Sequence, residues 1–167
     1  MKETMMKLLS ELLKDSKRSD RQLAKVLDVS QATVSRMRNR LVKDGLIRQF
    51  SVIPDAAKMG FELLAIITLK SKRNKNDAEK AILVRHVAKP NVIFASRAEG
   101  MGKNAVIVSI HKNYTDYSNF IEKLRFEAEG IIENYDTLLI SLNGFIAKPF
   151  SLKHLAKLYE EYQEGLS

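Results

Sequence analysis

At 167 residues and 19.0 kDa, the chain is long enough for one compact domain or two small ones and no more. Its 45% hydrophobic and 29% charged residues exclude wholesale disorder, and the longest nearly uncharged apolar run, Leu63 to Leu69, falls far short of the ~20 residues of a membrane helix. The absence of cysteine excludes disulfides, thiolate metal sites and thiol nucleophiles together. No charged-then-apolar leader with a small-residue cleavage site opens the chain, so a cytoplasmic protein with no membrane partner is expected. Basic residues exceed acidic ones by 8, and the excess is uneven. Residues 1–60 carry 13 basic and 7 acidic side chains, whereas residues 61–167 carry 15 and 13. A basic N-terminal third joined to a nearly neutral remainder suggests a polyanion-binding module attached to a second domain.

Three short helices are predicted before Gly45. Met5, Met6, Leu8, Leu9, Leu12 and Leu13 recur at helical spacing, and the run breaks at 15–18. Ser19 or Asp20 caps a second helix carrying Leu23, Ala24, Val26 and Leu27. After a tight connection at 28–30, Ser30 is placed to cap a third helix from Gln31 to about Asp44, which Gly45 terminates. Two helices joined by about three residues, the second Ser-capped and rich in Arg, form a helix-turn-helix pattern.

At about 100° per residue, Val34, Met37 and Leu41 fall on one side of the third helix and pack inward. Ala32, Ser35, Arg36, Asn39 and Lys43 fall on the opposite side. Small residues at the start allow close approach to a major groove, and Arg and Asn can read guanine and adenine edges. Arg40 lies on the flank, suited to a phosphate, and Gln31 and Thr33 border the helix start, whose free amides can also hold one. The competing interpretation is an ordinary amphipathic helix with a solvated basic face. Against it, Arg36, Asn39 and Lys43 have no acidic i,i+4 partner. From Ile47 to Pro54 the residues alternate as a strand, making Arg48 and Gln49 candidate backbone contacts in a winged variant.

In the remainder, a buried strand is expected over 60–70 and a loop over 71–76. A helix capped by Asp77 follows, carrying Ala81, Ile82, Val84 and Val87 and ending at Lys89-Pro90. Strands over 91–96 and 105–110 flank a turn at Gly100-Met101-Gly102. A helix over about 114–129 turns Tyr117, Phe120, Ile121 and Leu124 inward, and a fourth strand spans 131–142. This βαββαβ order is ferredoxin-like, an antiparallel sheet with two helices on one face. A second copy is the simplest cover for the other face. A final amphipathic helix over 151–162 either packs on the sheet or strengthens an oligomer contact, and packing is expected.

The run from Gln22 to Arg36, closed by Gly45-Leu46-Ile47, resembles the DNA-binding domain of the Lrp/AsnC transcriptional regulators, and the link at Asp55–Gly60 resembles that family's interdomain link. The strand and helix order after Gly60 is similar to the same family's RAM domain. The resemblance implies an α+β protein: a winged helix-turn-helix over 1–60, then a ferredoxin-like ligand-sensing and dimerisation domain over 61–167. It implies a sequence-specific regulator of double-stranded DNA, acting as a homodimer, tetramer or octamer on pseudo-palindromic sites, and not an enzyme. The DNA-binding set is then Ser30, Gln31, Ala32, Thr33, Ser35, Arg36, Asn39, Arg40, Lys43 and Arg48.

Three departures stand out. The first helix opens with Met5-Met6-Lys7-Leu8-Leu9 where the family has an Asp-containing pattern. Met37-Arg38 replaces Arg followed by an aliphatic residue, so Arg38 lands near the core side, where it must snorkel or pair with an acid. At the turn where the family binds amino-acid effectors, Gly100 and Gly102 remain but Lys103-Asn104 replaces the usual acid. Either Gly100, Gly102 and Asn104 hold a different small-molecule effector, or the glycines simply make the turn. No cofactor or metal is expected, because His86, His111 and His154 are scattered without carboxylate sets. Two alternatives remain: an architectural DNA-wrapping protein, and a tetrapyrrole-handling enzyme similar to siroheme decarboxylases.

Overall fold

The computed structural model describes residues 2–164, and they form two units. In the first, the apolar spacing of the opening residues produces α1 (Lys2–Lys14), α2 (Asp20–Leu27) and α3 (Gln31–Lys43). Ser19 caps α2 in a reciprocal capping box with Gln22, and Asp28 adopts a left-handed conformation to end it. The Ser30 hydroxyl oxygen accepts the Thr33 amide at 3.1 Å to start α3, and Gly45 (φ +75°) turns the chain out of it, both as expected. Met5, Leu8, Leu12, Leu23, Ala24, Val34, Met37 and Leu41 close into one core. Val26, among the apolar residues of α2, is 56% exposed. With only eight residues, α2 buries a narrow stripe, and Leu23 and Ala24 fill it.

The strand expected from Ile47 to Pro54 is not formed. This segment is extended but unpaired among the described residues, and the Ile47 amide bonds the Leu41 carbonyl at 3.0 Å, closing the end of α3 instead of starting a ladder. Alternation suits a strand only where another strand supplies the hydrogen bonds.

The second unit runs from Pro54 to Ala147. It contains β1 (Leu63–Ser71), α4 (Asp77–Val87), β2 (Val92–Gly100), β3 (Lys103–His111), α5 (Tyr114–Glu127) and β4 (Ile132–Ser141). The strands form one antiparallel sheet in the order β2-β3-β1-β4, with Ile67 opposite both Ile107 and Thr137. Ala65, Ile67, Leu69 and Ile107 pack against Tyr117, Phe120, Ile121 and Leu124 of α5, with Ile82, Leu83 and Val87 of α4 beside them. Asn76, not Asp77, caps α4. Val84, one of the apolar residues of this helix, is 62% exposed, whereas His86 is buried. Strand alternation sends Leu64, Ile66, Val106, Val108, Ile110, Leu138 and Ile140 to the face without helices.

The last helix, α6 (His154–Glu164), was expected on the sheet but belongs to the first unit, where it packs on α1. The division therefore falls between Ile53 and Pro54 rather than at Gly60, and residues 148–164 return to the helical unit. Leu155, Leu158, Tyr159 and Tyr162 of α6 line an apolar groove together with Met6, Leu9 and Leu13 of α1. Ser10 donates to Glu160 at 2.7 Å, and Lys14 pairs with the same carboxylate at 2.7 Å. The hydrogen bond from Lys14 holds the Glu160 carboxyl below its ordinary range, with Ser10 adding to the effect. Ala156 is 1% exposed, so its small side chain sets how closely α6 approaches. Ala156→Asp would bury a carboxylate there and is expected to cost upwards of ~2 kcal/mol of docking. The measurement is limited proteolysis of the full chain: cleavage within 148–164 should accelerate while 54–147 stays protected, and an unchanged rate would contradict this packing.

Candidate nucleic-acid interface

The face of α3 opposite its core seam carries the residues selected from sequence. Val34, Met37 and Leu41 are buried, whereas Gln31, Ala32, Arg36, Asn39, Arg40 and Lys43 are exposed and Ser35 is half-buried. The fold brings these seven together because they ride on one helix whose roll is fixed by three buried side chains. Ser30 and Thr33 sit at its start, with their hydroxyls 2.8 Å apart, and Arg36 donates weakly to Thr33 at 3.4 Å. Asn39 and Lys43 make no side-chain hydrogen bond or ion pair among the described residues. Arg40 does have a partner, Asp44 at 3.3 Å, but both are exposed and such a pair is weak in water. Arg48 is exposed on the extended segment, apart from the helix in sequence and not on a strand. The half-buried Arg38, which sequence placed near the core side, pairs with Asp20 at 2.7 Å.

Gly100 (φ +144°), Met101 (φ +52°) and Gly102 (φ +71°) make the tight β2–β3 hairpin. Asn104 is hydrogen-bonded to the neighbouring strand. Its carbonyl oxygen accepts the Ser71 amide at 2.9 Å and its amide donates to the Ser71 carbonyl at 2.6 Å, clasping β3 to the end of β1. Lys103 pairs with Asp136 at 2.7 Å and donates to Asn134 at 2.5 Å. The polar groups of this turn are thus committed to the sheet.

The histidines do not form a common centre. His86 Nε2 lies 3.0 Å from Glu127 Oε2 without hydrogen-bond alignment, and Lys89 approaches His86 Nδ1 at 3.0 Å. On β3, Ser109 Oγ is 2.8 Å from His111 Nε2, and His111 Nδ1 is 3.4 Å from Asp116. Sequence inspection passed over this serine–histidine–aspartate arrangement. Its signal was the i,i+2 spacing of Ser109 and His111, which puts both on one face of a strand. Both are fully buried, however, so no substrate carbonyl can reach the serine without opening the core. Among the described residues no cluster of His, Asp or Glu has metal-ligand geometry, and no helix is long and apolar enough to cross a membrane.

Comparison with known proteins agrees with this geometry. Residues 1–48 match a family model described as winged helix-turn-helix DNA-binding. The chain is 31% identical over 138 residues to the uncharacterized HTH-type transcriptional regulator PH0061 of Pyrococcus horikoshii, spanning 81% of this chain and 89% of that protein. The crystal structure of PH0061 superposes with a TM-score of 0.73 at 25% identity, covering 89% of this chain and 95% of the other. An AsnC family transcriptional regulator from Agrobacterium tumefaciens shares the fold at a TM-score of 0.74 and 18% identity, covering 93% and 99%. So does the regulator NMB0573 of Neisseria meningitidis, solved as its L-Met complex, at a TM-score of 0.73 and 17% identity, covering 91% and 97%. The helical unit and the four-stranded unit together define a DNA-binding transcriptional regulator. The chain belongs to the Lrp/AsnC family of HTH-type transcriptional regulators.

The buried histidines generate a pH dependence. Burial holds both His86 and His111 below the ordinary imidazole pKa; nearby Lys89 adds to this for His86, and Asp116 opposes it for His111. Below about pH 6.5 the unfolded chain therefore binds more protons than the folded one. Stability is full above that pH and is lost as pH falls toward the lowered folded values. Thermal midpoints measured from pH 7.5 to 5 are expected to drop by several degrees, with a flatter profile in a His86→Gln, His111→Gln double variant. Identical profiles would place the acid sensitivity elsewhere.

Proposed function

We propose that this protein binds specific, pseudo-palindromic DNA sites as a homodimer or a larger assembly of dimers, and that it acts in the cytoplasm without catalysing a reaction. The carrying observation is the outward face of α3, where Arg36, Asn39 and Lys43 have no acidic partner among the described residues and lie beside a Ser30-capped N-terminus. Ser35, Arg36 and Asn39 read base edges, with Ala32 allowing close approach. Ser30, Gln31, Thr33, Arg40, Lys43 and Arg48 hold phosphates and so set the register. A two-fold pair of such helices reads two half-sites spaced by whole helical turns.

The apolar, helix-free side of the sheet supports the dimer. Ile66, Val108 and Ile110 stand there among other aliphatic side chains, and a contiguous apolar surface of that kind is covered in solution. A small-molecule effector such as an amino acid fits the regulatory unit, and the L-Met complex of the Neisseria relative supports that class. Gly100 and Gly102 are the candidate effector contacts, whereas the clasp to Ser71 supports a turn-forming role for Asn104.

Selection of genomic fragments at near-physiological salt, followed by footprinting, tests the regulator. Two-fold-related protected sites are expected; protection without a shared sequence would mean DNA wrapping instead. On the selected site, Arg36→Ala is expected to weaken binding by roughly 1–3 kcal/mol and to relax one base position. Lys43→Ala should weaken all sequences alike and lower the salt slope by about one. An equal loss on every sequence for Arg36→Ala would reassign it to a phosphate. For the dimer, Ile66→Glu is expected to shift sedimentation to a smaller species at unchanged helix content, and an unaltered profile would place the interface on another face.

A further inference from the structure

Arg38 stands between the two roles a helix-turn-helix asks of α3. Its neighbours Arg36 and Asn39 face outward, while the adjoining Met37 lies in the core. Its own guanidinium reaches neither DNA-facing solvent nor the apolar interior. The Nε donates to Asp20 Oδ1 at 2.9 Å, and a terminal nitrogen lies 2.7 Å from the same oxygen. That terminal nitrogen also donates to the Arg18 carbonyl at 3.2 Å. The guanidinium carbon sits 5.9 Å from the centre of the Phe50 ring.

Three segments therefore meet on one planar group: the turn entering α2, the first residue of α2, and the extended stretch leaving α3. The Arg38 and Asp20 side chains are only 21% and 23% exposed, so their bond is less screened than a surface pair. Asp20 also opens α2, where the helix dipole favours a negative charge. A lysine in this position would supply the charge but not the fixed fork that reaches a carboxylate, a carbonyl and a ring face together.

We infer that Arg38 is a positioning residue for sequence reading: with the roll of α3 set by its buried seam, Arg38 pins the rim of α3 to the start of α2 and ties both to Phe50, so that Arg36 and Asn39 meet the groove in register. A functional constellation has to be held within about 0.5 Å and 10–20°, and the buried seam of Val34, Met37 and Leu41 leaves the rim of α3 to be fixed by polar contacts. Arg38 supplies them, one residue from Asn39 and two from Arg36. The inference rests on the assignment of α3 as the base-reading helix.

The test compares full-length variants on two duplexes, the footprinted site and a scrambled version of it, at two or more salt concentrations. Arg38→Met is expected to lower affinity for the site by about tenfold while leaving the scrambled duplex within about twofold and the salt slope unchanged. Arg38→Lys should not restore discrimination. Asp20→Asn should produce a similar loss, and the two changes together should cost little more than either alone. Phe50→Leu, at a ring 52% exposed, is expected to reduce discrimination by about threefold, and it keeps the question open to test if Arg38→Met does not fold.

Equal losses on both duplexes with a slope reduced by one would make Arg38 a phosphate contact and overturn the inference. So would unchanged discrimination in Arg38→Met measured well below its melting temperature, or, if that variant does not fold, in Phe50→Leu. A wild-type protein that binds both duplexes equally would overturn the base-reading assignment itself, an outcome distinguishable because no variant enters it.

Discussion

Everything in the helical unit depends on how one face of α3 is buried. Val34, Met37 and Leu41 lie at i, i+3 and i+7, and each is taken into the core that α1 and α2 build from Leu8, Leu12 and Leu23. Removing those three side chains from water fixes the rotation of the helix, because a turn of the helix in either direction would expose them. The same rotation presents Arg36, Asn39 and Lys43 to solvent. Function at this surface is thus the complement of the packing: residues unable to enter the core are gathered on the side where a polyanion can approach.

Polar contacts then finish what the apolar seam begins. Caps by Ser19 and Ser30 satisfy amides at the starts of α2 and α3, and the left-handed residues Asp28 and Gly45 end the two helices sharply. The turn between α2 and α3 is short because both of its ends are closed in this way. Arg38 and Asp20 bridge the two helices along their rim, and Glu160 draws α6 onto α1 through Ser10 and Lys14. In the four-stranded unit the division of labour is different. Strand alternation alone separates a helix-covered face from an uncovered one, and both faces are apolar. A chain that spends aliphatic residues on both sides of a sheet needs something on each, which is the physical basis of the assembly proposed above.

Much of this was legible in the residues. The three N-terminal helices, the Ser30 cap, the Gly45 terminator, the four strands and the outward set on α3 all follow from local spacing and turn chemistry. Arg38 was legible in part: its position at the edge of the core required an acid or a snorkelled stem, but nothing local pointed to Asp20, eighteen residues earlier. Val26 and Val84 belong to the apolar pattern of their helices yet are exposed, because an apolar residue at the margin of a helical stripe satisfies the pattern whether or not a neighbour covers it. Ser109 and His111 escaped notice because an i,i+2 pair on a strand has chemical meaning only once a third group from another element, Asp116, is seen beside it.

By itself the sequence determined where helices and strands form, which side of α3 turns outward, and that a basic module precedes a neutral one. These are consequences of periodicity and composition, both carried within a few turns of chain. Only the tertiary structure decided that 46–53 is unpaired, that α6 returns to α1, and that Asn104 is spent on Ser71. Each depends on a partner distant in sequence. A strand forms only beside another strand, an amphipathic helix does not specify the surface it will cover, and a side-chain amide bonds whichever backbone the fold brings within reach.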